Sequence, residues 1–353
     1  MAIQELPFET LFLAQRPVII VATHKDRVLK KKRLHTMRAL IYGGGAVGLG
    51  IASCLLKSGC QVIIIAREET VSHLRQDGLV RTGIFGDHYA EPAAFSCYSS
   101  LNEVQTQVYD YILVCTKSFD SLEAARDLSA HKSLFGQETK IVLFQNGWGN
   151  AEVFLSFFGK EQVYSARVIT GFHRPKNNEV TVTVHADAIH IGSLFGCDSL
   201  CLKSLSDAIA NGDIPCETTN EIGKDLWAKM LYNCALNPLG AILDVPYGVL
   251  AEREFSRTIM NGIVDEAFKA MRAAGYQTHW RCPKDFLEVF YGKLVPDTAE
   301  HKSSTLQDLA AKKKTEIDAL NGAVIKLAEK QKIHVPYNSV VYNIVKFIEG
   351  WPT

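Results

Sequence analysis

An α/β domain followed by an all-α domain is the architecture that this 353-residue sequence predicts. Three observations carry it. A short apolar run, residues 38–42, breaks at Gly43-Gly44-Gly45, resumes as a small-residue helix over 46–57, and is followed by a second β-branched run at 61–66. Two further near-continuous apolar runs, 109–116 and 140–144, have the look of strands buried on both faces of a parallel sheet. Beyond residue 220 strand signal all but vanishes, and apolar residues recur at helical spacing.

The first unit is the most specific. Its glycines fall as Gly43-x-Gly45-x-x-Gly48, with Ala46 and Val47 between the last two. Gly43 permits the tight turn, Gly45 lets backbone approach a pyrophosphate, and Gly48 packs helix on strand. The helix then points free amides and the positive end of its dipole at the anion. Ser58-Gly59 closes the helix and the second strand follows, so the whole βαβ context of a Rossmann-type dinucleotide-binding domain is present. At the end of that second strand an NAD site would carry Asp or Glu for the ribose 2′-hydroxyl, whereas this chain has Arg67. That favours NADP, although Glu68 and Glu69 follow at once and would repel a 2′-phosphate if they faced it.

Further along, residues 70–76 read as a helix, 79–90 as a segment able to hold a β-hairpin, and 121–129 as another helix. Lys117 follows the third strand, and Gln145-Asn146-Gly147-Trp148-Gly149 follows the fourth. Ligands of open α/β sheets sit beyond the carboxyl ends of the strands, so Gly43, Lys117 and Asn146 are expected to converge on one crevice. Residues 162–193 alternate as strands with turns and are expected to close one edge of this domain, with 215–220 as the link onward. Helices are then expected at 222–241, 249–274, 283–291, 304–329 and 337–349, giving a nucleotide domain at 37–217 and a helical domain at 218–353.

Composition narrows the function classes. The 38 basic and 38 acidic residues cancel, leaving no electrostatic footprint for nucleic acid or an anionic membrane. No apolar run reaches the roughly 18 residues that span a bilayer. Nine scattered cysteines without a C-x-x-C pair read as free thiols of a reducing compartment such as the cytoplasm. Cys197, Cys201 and Cys216 lack a histidine at zinc-finger spacing, so no metal site is expected. Residues 1–36 form an extension ending in a basic cluster; Glu5, Glu9 and Asp26 argue against a transit peptide, and Met37 is the expected start of the functional chain, with the extension disordered or an artefact of the assigned start site.

In the helical half, Lys229, Asn233 and Asn237 lie at i, i+4 and i+8, stacked on one helix face between Met230, Leu231, Cys234 and Leu236. Polar groups in apolar company are costly to bury without partners, so the stripe reads as the wall of a cleft, with a solvent-facing stripe as the alternative. Ser304 with Gln307 has the spacing of a capping box opening the fourth long helix, and its amides and hydroxyl could hold a substrate carboxylate. Glu316 lies three turns further along that expected helix.

Taken together, these residues resemble the ketopantoate reductase family from Met37 to about Leu327. The specific motifs are the glycine turn, Cys115-Thr-Lys117, Gln145-Asn146-Gly147, Trp227-x-Lys229-x-x-x-Asn233-x-x-x-Asn237-Pro-Leu, and Ser303-Ser304-x-Leu-Gln-Asp308 with Thr315-Glu316-Ile-Asp318. The resemblance implies reduction of ketopantoate to pantoate with NADPH, on the way to pantothenate and coenzyme A. It implies that Arg67 and Lys117 contact the cofactor and that Asn146 lies where cofactor meets substrate. Lys229 would be the general acid, Asn233 and Asn237 would hold substrate oxygens, Ser304 the carboxylate, and Glu316 a substrate hydroxyl or the lysine. Tyr247 and His301 stand where family enzymes can carry substrate-touching asparagines, and the Gly171 to Val180 segment shows no clear match. The alternatives are reduction of another small 2-oxo acid, or an NADPH-binding redox sensor that has no need of a proton donor. Enzymes of this two-domain plan can form homodimers through helices, and no segment of the sequence locates an interface.

Overall fold

The central strands lie where the apolar, β-branched runs fall. In the computed structural model residues 36–350 are described, and the extension, apart from Thr36, lies outside them. The strands are β1 (Arg38–Tyr42), β2 (Gln61–Ile65), β3 (Leu79–Gly83), β4 (His88–Ala90), β5 (Ser96–Tyr98), β6 (Tyr109–Val114), β7 (Phe135–Leu143), β8 (Val163–Arg167), β9 (Thr170–Lys176), β10 (Glu179–His185), β11 (Ile189–Gly192) and β12 (Cys216–Thr218). Between them run α1 (Ala46–Lys57), α2 (Glu68–Asp77), α3 (Ser121–Ala130), α4 (Asn150–Leu155) and α5 (Lys203–Asn211).

An eight-stranded sheet in the order β12-β11-β8-β7-β6-β1-β2-β5 forms the nucleotide-type domain. Its pairs are parallel except β8 with β11. The central strands alternate their burial between two cores. Ile41, Ile64, Leu113 and Val142 pack on the side of α1, while Leu40, Ile112, Ile141 and Phe154 pack on the other. Both faces are therefore dry, which is why these strands are almost uninterruptedly apolar.

Two expectations for this half need correction. Residues 162–193 do not simply close one sheet edge: β8 and β11 do, but β9 and β10 leave to join β3 and β4 in a separate sheet of order β4-β3-β10-β9. The pairing of β3 with β10 is parallel and joins segments about a hundred residues apart, which no local pattern reveals. The 215–220 link is also partly strand, since β12 pairs with β11 at the sheet edge. The segment from Gly171 to Val180, which shows no clear match to the resemblance, spans the turn of the β9–β10 hairpin.

The second half is helical: α6 (Ile222–Leu243), α7 (Tyr247–Glu252), α8 (Glu254–Ala273), α9 (Pro283–Val289), α10 (Ser304–Ala310), α11 (Asn321–Lys330) and α12 (Pro336–Gly350). Its core gathers Trp227, Leu231, Ile263, Phe268, Phe286 and Val324. No helix among the described residues is long and apolar enough to cross a membrane. The expected helix over 249–274 is two helices meeting at Arg253, whose backbone is extended. The expected helix over 304–329 is also broken. It stops after Ala310, turns through Lys312 at φ +53, and makes a 3-10 turn at Ile317–Ala319 before α11 begins.

Helix α6 runs through Pro238, which cannot donate to the carbonyl of Cys234 one turn back. Asn321 supplies the missing donor: its buried Nδ2 bonds Cys234 O at 3.1 Å and Asn338 Oδ1 at 3.0 Å. Asn338 in turn is held by the buried carboxylate of Glu266, which also takes the backbone N–H groups of Tyr337 and Asn338 at 2.9 Å each. Helices α6, α8, α11 and α12 are thus fixed to one another by a dry polar network, in which each bond is strengthened by exclusion of water.

Candidate functional site

Because β1, β6 and β7 are adjacent and parallel, the turns that follow them open on the same side of the sheet. Gly43, Lys117 and Asn146 follow the carboxyl ends of these three neighbouring strands. Gly43 has φ +117, and a Cβ there would come within 2.7 Å of the Thr116 amide. A Cβ on Gly48 would fall onto the Gly43 carbonyl, so helix and turn can meet only through glycine. Gly45 is different: a Cβ there would meet nothing within 4 Å. The open space in front of it, at the N-terminus of α1 with the Ala46 and Val47 amides, fits a pyrophosphate. Arg67 is exposed at the residue before α2, beyond the end of β2.

The opposite wall comes from the helical half. Gly147, at φ +88, lets the turn after β7 press against the 3-10 turn: a Cβ there would meet Ala319 Cβ and O at 2.5 Å. Trp148 N–H then donates to Ala319 O at 2.9 Å. This docking sets Asn146 beside Glu316, whose Oε2 accepts from Asn146 Nδ2 at 3.2 Å while Oε1 accepts from Ser118 N at 3.0 Å. On its other side Asn146 Oδ1 receives the ammonium of Lys229 at 2.5 Å, and Val168 O receives the same ammonium at 2.5 Å. Lys117 completes the row, with Asp308 Oδ2 at 2.8 Å and Glu316 Oε2 at 3.5 Å. A continuous chain therefore runs Lys229, Asn146, Glu316, Lys117, Asp308.

Charge in this chain follows from its surroundings. Burial pushes Lys229 down to about 8, with Glu316 pulling the other way and Arg167 adding to the depression. For Lys117 burial also disfavours the charge, but the two carboxylates outweigh it and the net shift is upward. Asp308 is raised, first by burial, with Lys117 opposing.

The polar stripe of α6 is partly satisfied and partly free. Asn233 is half-buried, and its side chain makes no hydrogen bond with the described residues. Asn237 is buried, and its Oδ1 accepts from Tyr247 Oη at 2.6 Å. That bond fixes the amide so that Nδ2 is the group left to donate. Tyr247 packs against His301 at 5.2 Å and Tyr232 at 5.8 Å between ring centroids, giving this part of the wall an aromatic lining.

Three expectations about the second wall change. The helix cap is Ser303, not Ser304: Ser303 Oγ accepts from Leu306 N at 3.0 Å and donates to Asn237 O at 3.1 Å. Ser304 is the first residue of α10 and exposed, and Gln307 reaches Lys302 O rather than closing a box. Glu316 stands on a bend before the 3-10 turn, not on a long helix, and it reaches Lys229 through Asn146 rather than directly. Asp308, part of a motif but without an expected role, accepts from Lys117, and Arg174, which belongs to no motif, donates from its guanidinium to Gly44 O at 2.9 Å. Neither has a local signal, because the partners lie 191 and 130 residues away.

Comparison with known proteins matches residues 39–196 to the family profile "Ketopantoate reductase PanE/ApbA" and residues 221–349 to "Ketopantoate reductase PanE/ApbA C terminal". A 2-dehydropantoate 2-reductase of Aquifex aeolicus is 34% identical over 311 residues, covering 88% of this chain and 96% of its own. The crystal structure of a PanE/ApbA family ketopantoate reductase from Ralstonia eutropha JMP134 is 30% identical, with a TM-score of 0.76 over 89% of this chain and 98% of its own. A D-mandelate dehydrogenase solved with NADH and anilino(oxo)acetate shares the fold at a TM-score of 0.78, with 22% identity over 89% of this chain and 98% of its own.

Proposed function

The chain belongs to the ketopantoate reductase family, oxidoreductases acting on CH-OH with a pyridine nucleotide, and we propose that its own reaction is the NADPH-dependent reduction of 2-dehydropantoate to pantoate, on the route to pantothenate and coenzyme A. The observation that carries this reading is the Lys229–Asn146–Glu316 chain at the mouth of the glycine-turn crevice. Reduced nicotinamide, when bound, supplies the hydride that reaches the ketone carbon. The protein's part is to hold the acid and receive the charge. Two of the three Lys229 N–H donors are spent on Asn146 and Val168, which leaves one to aim at the carbonyl oxygen. As charge develops there, the ammonium stabilises it and then gives up its proton, which a depressed affinity near 8 makes easier at neutral pH. Asn146 carries the field of Glu316 to the amine and fixes its position. Asn233 and the Nδ2 of Asn237 are the donors for substrate oxygens, Ser304 for the carboxylate, and Arg67 and Lys117 for cofactor phosphate and ribose.

A second reading, a different small 2-oxo acid, is favoured by one feature. Tyr247 and His301 put two rings where family enzymes can present amides, and loss of a buried hydrogen-bonding group changes substrate discrimination by orders of magnitude. The test is oxidation of NADPH by the purified protein with 2-dehydropantoate and a panel of aliphatic and aromatic 2-oxo acids. The expected result is the highest kcat/KM for 2-dehydropantoate. A preference for another acid moves the substrate and keeps the mechanism, while tight NADPH binding without turnover of any acid overturns the enzyme reading in favour of a sensor.

A homodimer belongs to the same reading. Tyr337, Val340, Ile344 and Ile348 leave an apolar stripe exposed along α12, and a second copy would cover it. Sedimentation equilibrium should give twice the chain mass, falling to the chain mass in Val340→Asp; a monomer at all concentrations would remove this part.

A further inference from the structure

The hairpin that leaves the main sheet comes back over the cofactor crevice. Phe172 on β9 packs against Gly50 of α1, where a Cβ would run into its ring, so the second sheet is seated on the very helix that follows the glycine turn. Two residues on, and therefore on the same face of β9, Arg174 reaches over that turn. Its Nη1 donates to Gly44 O at 2.9 Å and Thr70 Oγ1 at 3.3 Å, and its Nη2 to Asn177 Oδ1 at 3.0 Å. Of five N–H donors, Nε and one Nη2 hydrogen find no protein acceptor among the described residues.

Burial and then the nearby charge of Arg67 both disfavour the Arg174 cation, and no carboxylate forms an ion pair with either guanidinium among the described residues; Glu69 acts on Arg174, and Asp120 on Arg67, only through the longer-range field. Two arginines near each other beside a glycine turn, neither in an ion pair, repel each other, and an anion held by both would relieve that repulsion. The place is the end of β2 and the first turn of α2, which in a βαβ unit faces the adenosine ribose. We propose that Arg174 is a specificity-determining residue that grips the 2′-phosphate of NADP together with Arg67, the two cations coming from separate sheets. This rests on the reading that NADP is the cofactor. Arg67 lies in the dinucleotide unit, whereas Arg174 is delivered by the hairpin and also braces Gly44, so phosphate recognition and the shape of the turn share one side chain. Its planar fork suits the bidentate geometry of a phosphate, which an ammonium does not reproduce.

The test is direct titration of the unreacted protein with NADPH and NADH by fluorescence, with 2′,5′-ADP and 5′-ADP as competitors, for the wild type, Arg174→Gln, Arg174→Lys and Arg67→Ala. Circular dichroism melts establish that each variant is folded. Arg174→Gln should weaken NADPH and 2′,5′-ADP by roughly tenfold to a hundredfold, as expected for a lost charge-assisted bond, and NADH and 5′-ADP by less than about threefold. Arg174→Lys should recover part of the loss. Equal weakening of both nucleotides would overturn the proposal and leave Arg174 as a brace of the turn. A wild type that prefers NADPH, with the preference abolished by Arg67→Ala and untouched by Arg174→Gln, would overturn it while leaving the NADP reading intact. A wild type that binds NADH as tightly as NADPH would remove the NADP reading itself, and this assignment with it.

Discussion

Replacing Lys229 with alanine is expected to lower kcat for 2-oxo acid reduction by about 10²- to 10⁴-fold, the usual worth of a positioned general acid. NADPH affinity should hardly change, because the ammonium is bonded to Asn146 and Val168 and not to the glycine turn. The pH profile gives the second readout. Burial depresses the lysine to about 8, so the protonated, competent form is lost as pH rises through that value, and kcat/KM for reduction should fall above it. The alanine variant should lack this limb. Arginine at this position keeps the charge but releases a proton far too reluctantly, so Lys229→Arg should remain impaired. Steady-state rates across pH decide the matter: a variant within a few-fold of wild type, or an unchanged alkaline limb, would remove Lys229 from the proton transfer.

Trp227→Ala should cost about 3–5 kcal/mol of stability, the range for deleting a large buried aromatic. Trp227 is fully buried on α6, with Trp148 at 4.9 Å and Tyr276 at 6.0 Å between ring centroids. Trp148 comes from the turn after β7, so this stack joins the sheet domain to the helical one. The cavity would open two residues from Lys229, beneath the seam on which Asn146 and Glu316 meet. Trp227→Phe should be much milder, because the indole Nε1 has no hydrogen-bond partner and its removal relieves a buried donor. Urea denaturation followed by far-ultraviolet circular dichroism measures both; an alanine variant destabilised by less than about 1 kcal/mol would mean that the site collapses freely around the gap.

What could be read from the sequence was local. The glycine turn, the buried strands and the stripe of Lys229, Asn233 and Asn237 are written in spacings of two to eight residues, and each stands where expected. The glycines were legible because steric necessity leaves no other residue at Gly43 or Gly48. What escaped depends on distant partners. The pairing of β3 with β10 follows from packing on α1, and the strand pattern of β9 and β10 is equally compatible with an edge of the main sheet. The segment 311–316 has helix formers in Ala311, three lysines and Glu316, yet it unwinds. There the tertiary demand to bring Glu316 to Ser118, Asn146 and Lys117 overrides propensity. The shift of the cap from Ser304 to Ser303 is of the same kind, since Ser303 also serves the Asn237 carbonyl.

The proline inside α6 constrains the order in which this protein can change. Pro238 leaves Cys234 O without its helical donor, and Asn321 fills the gap from α11. Altering Asn321 first to a residue without an N–H would leave that buried carbonyl bare, at about 1–3 kcal/mol. Altering Pro238 first to alanine restores the helix's own N–H, and the carbonyl, with two lone pairs, can accept it beside the asparagine. After that step Asn321 is needed only for Asn338. The path that loses the proline and then the asparagine is open, whereas the opposite order passes through a weakened intermediate. History at these two positions therefore has a direction, set by one missing hydrogen.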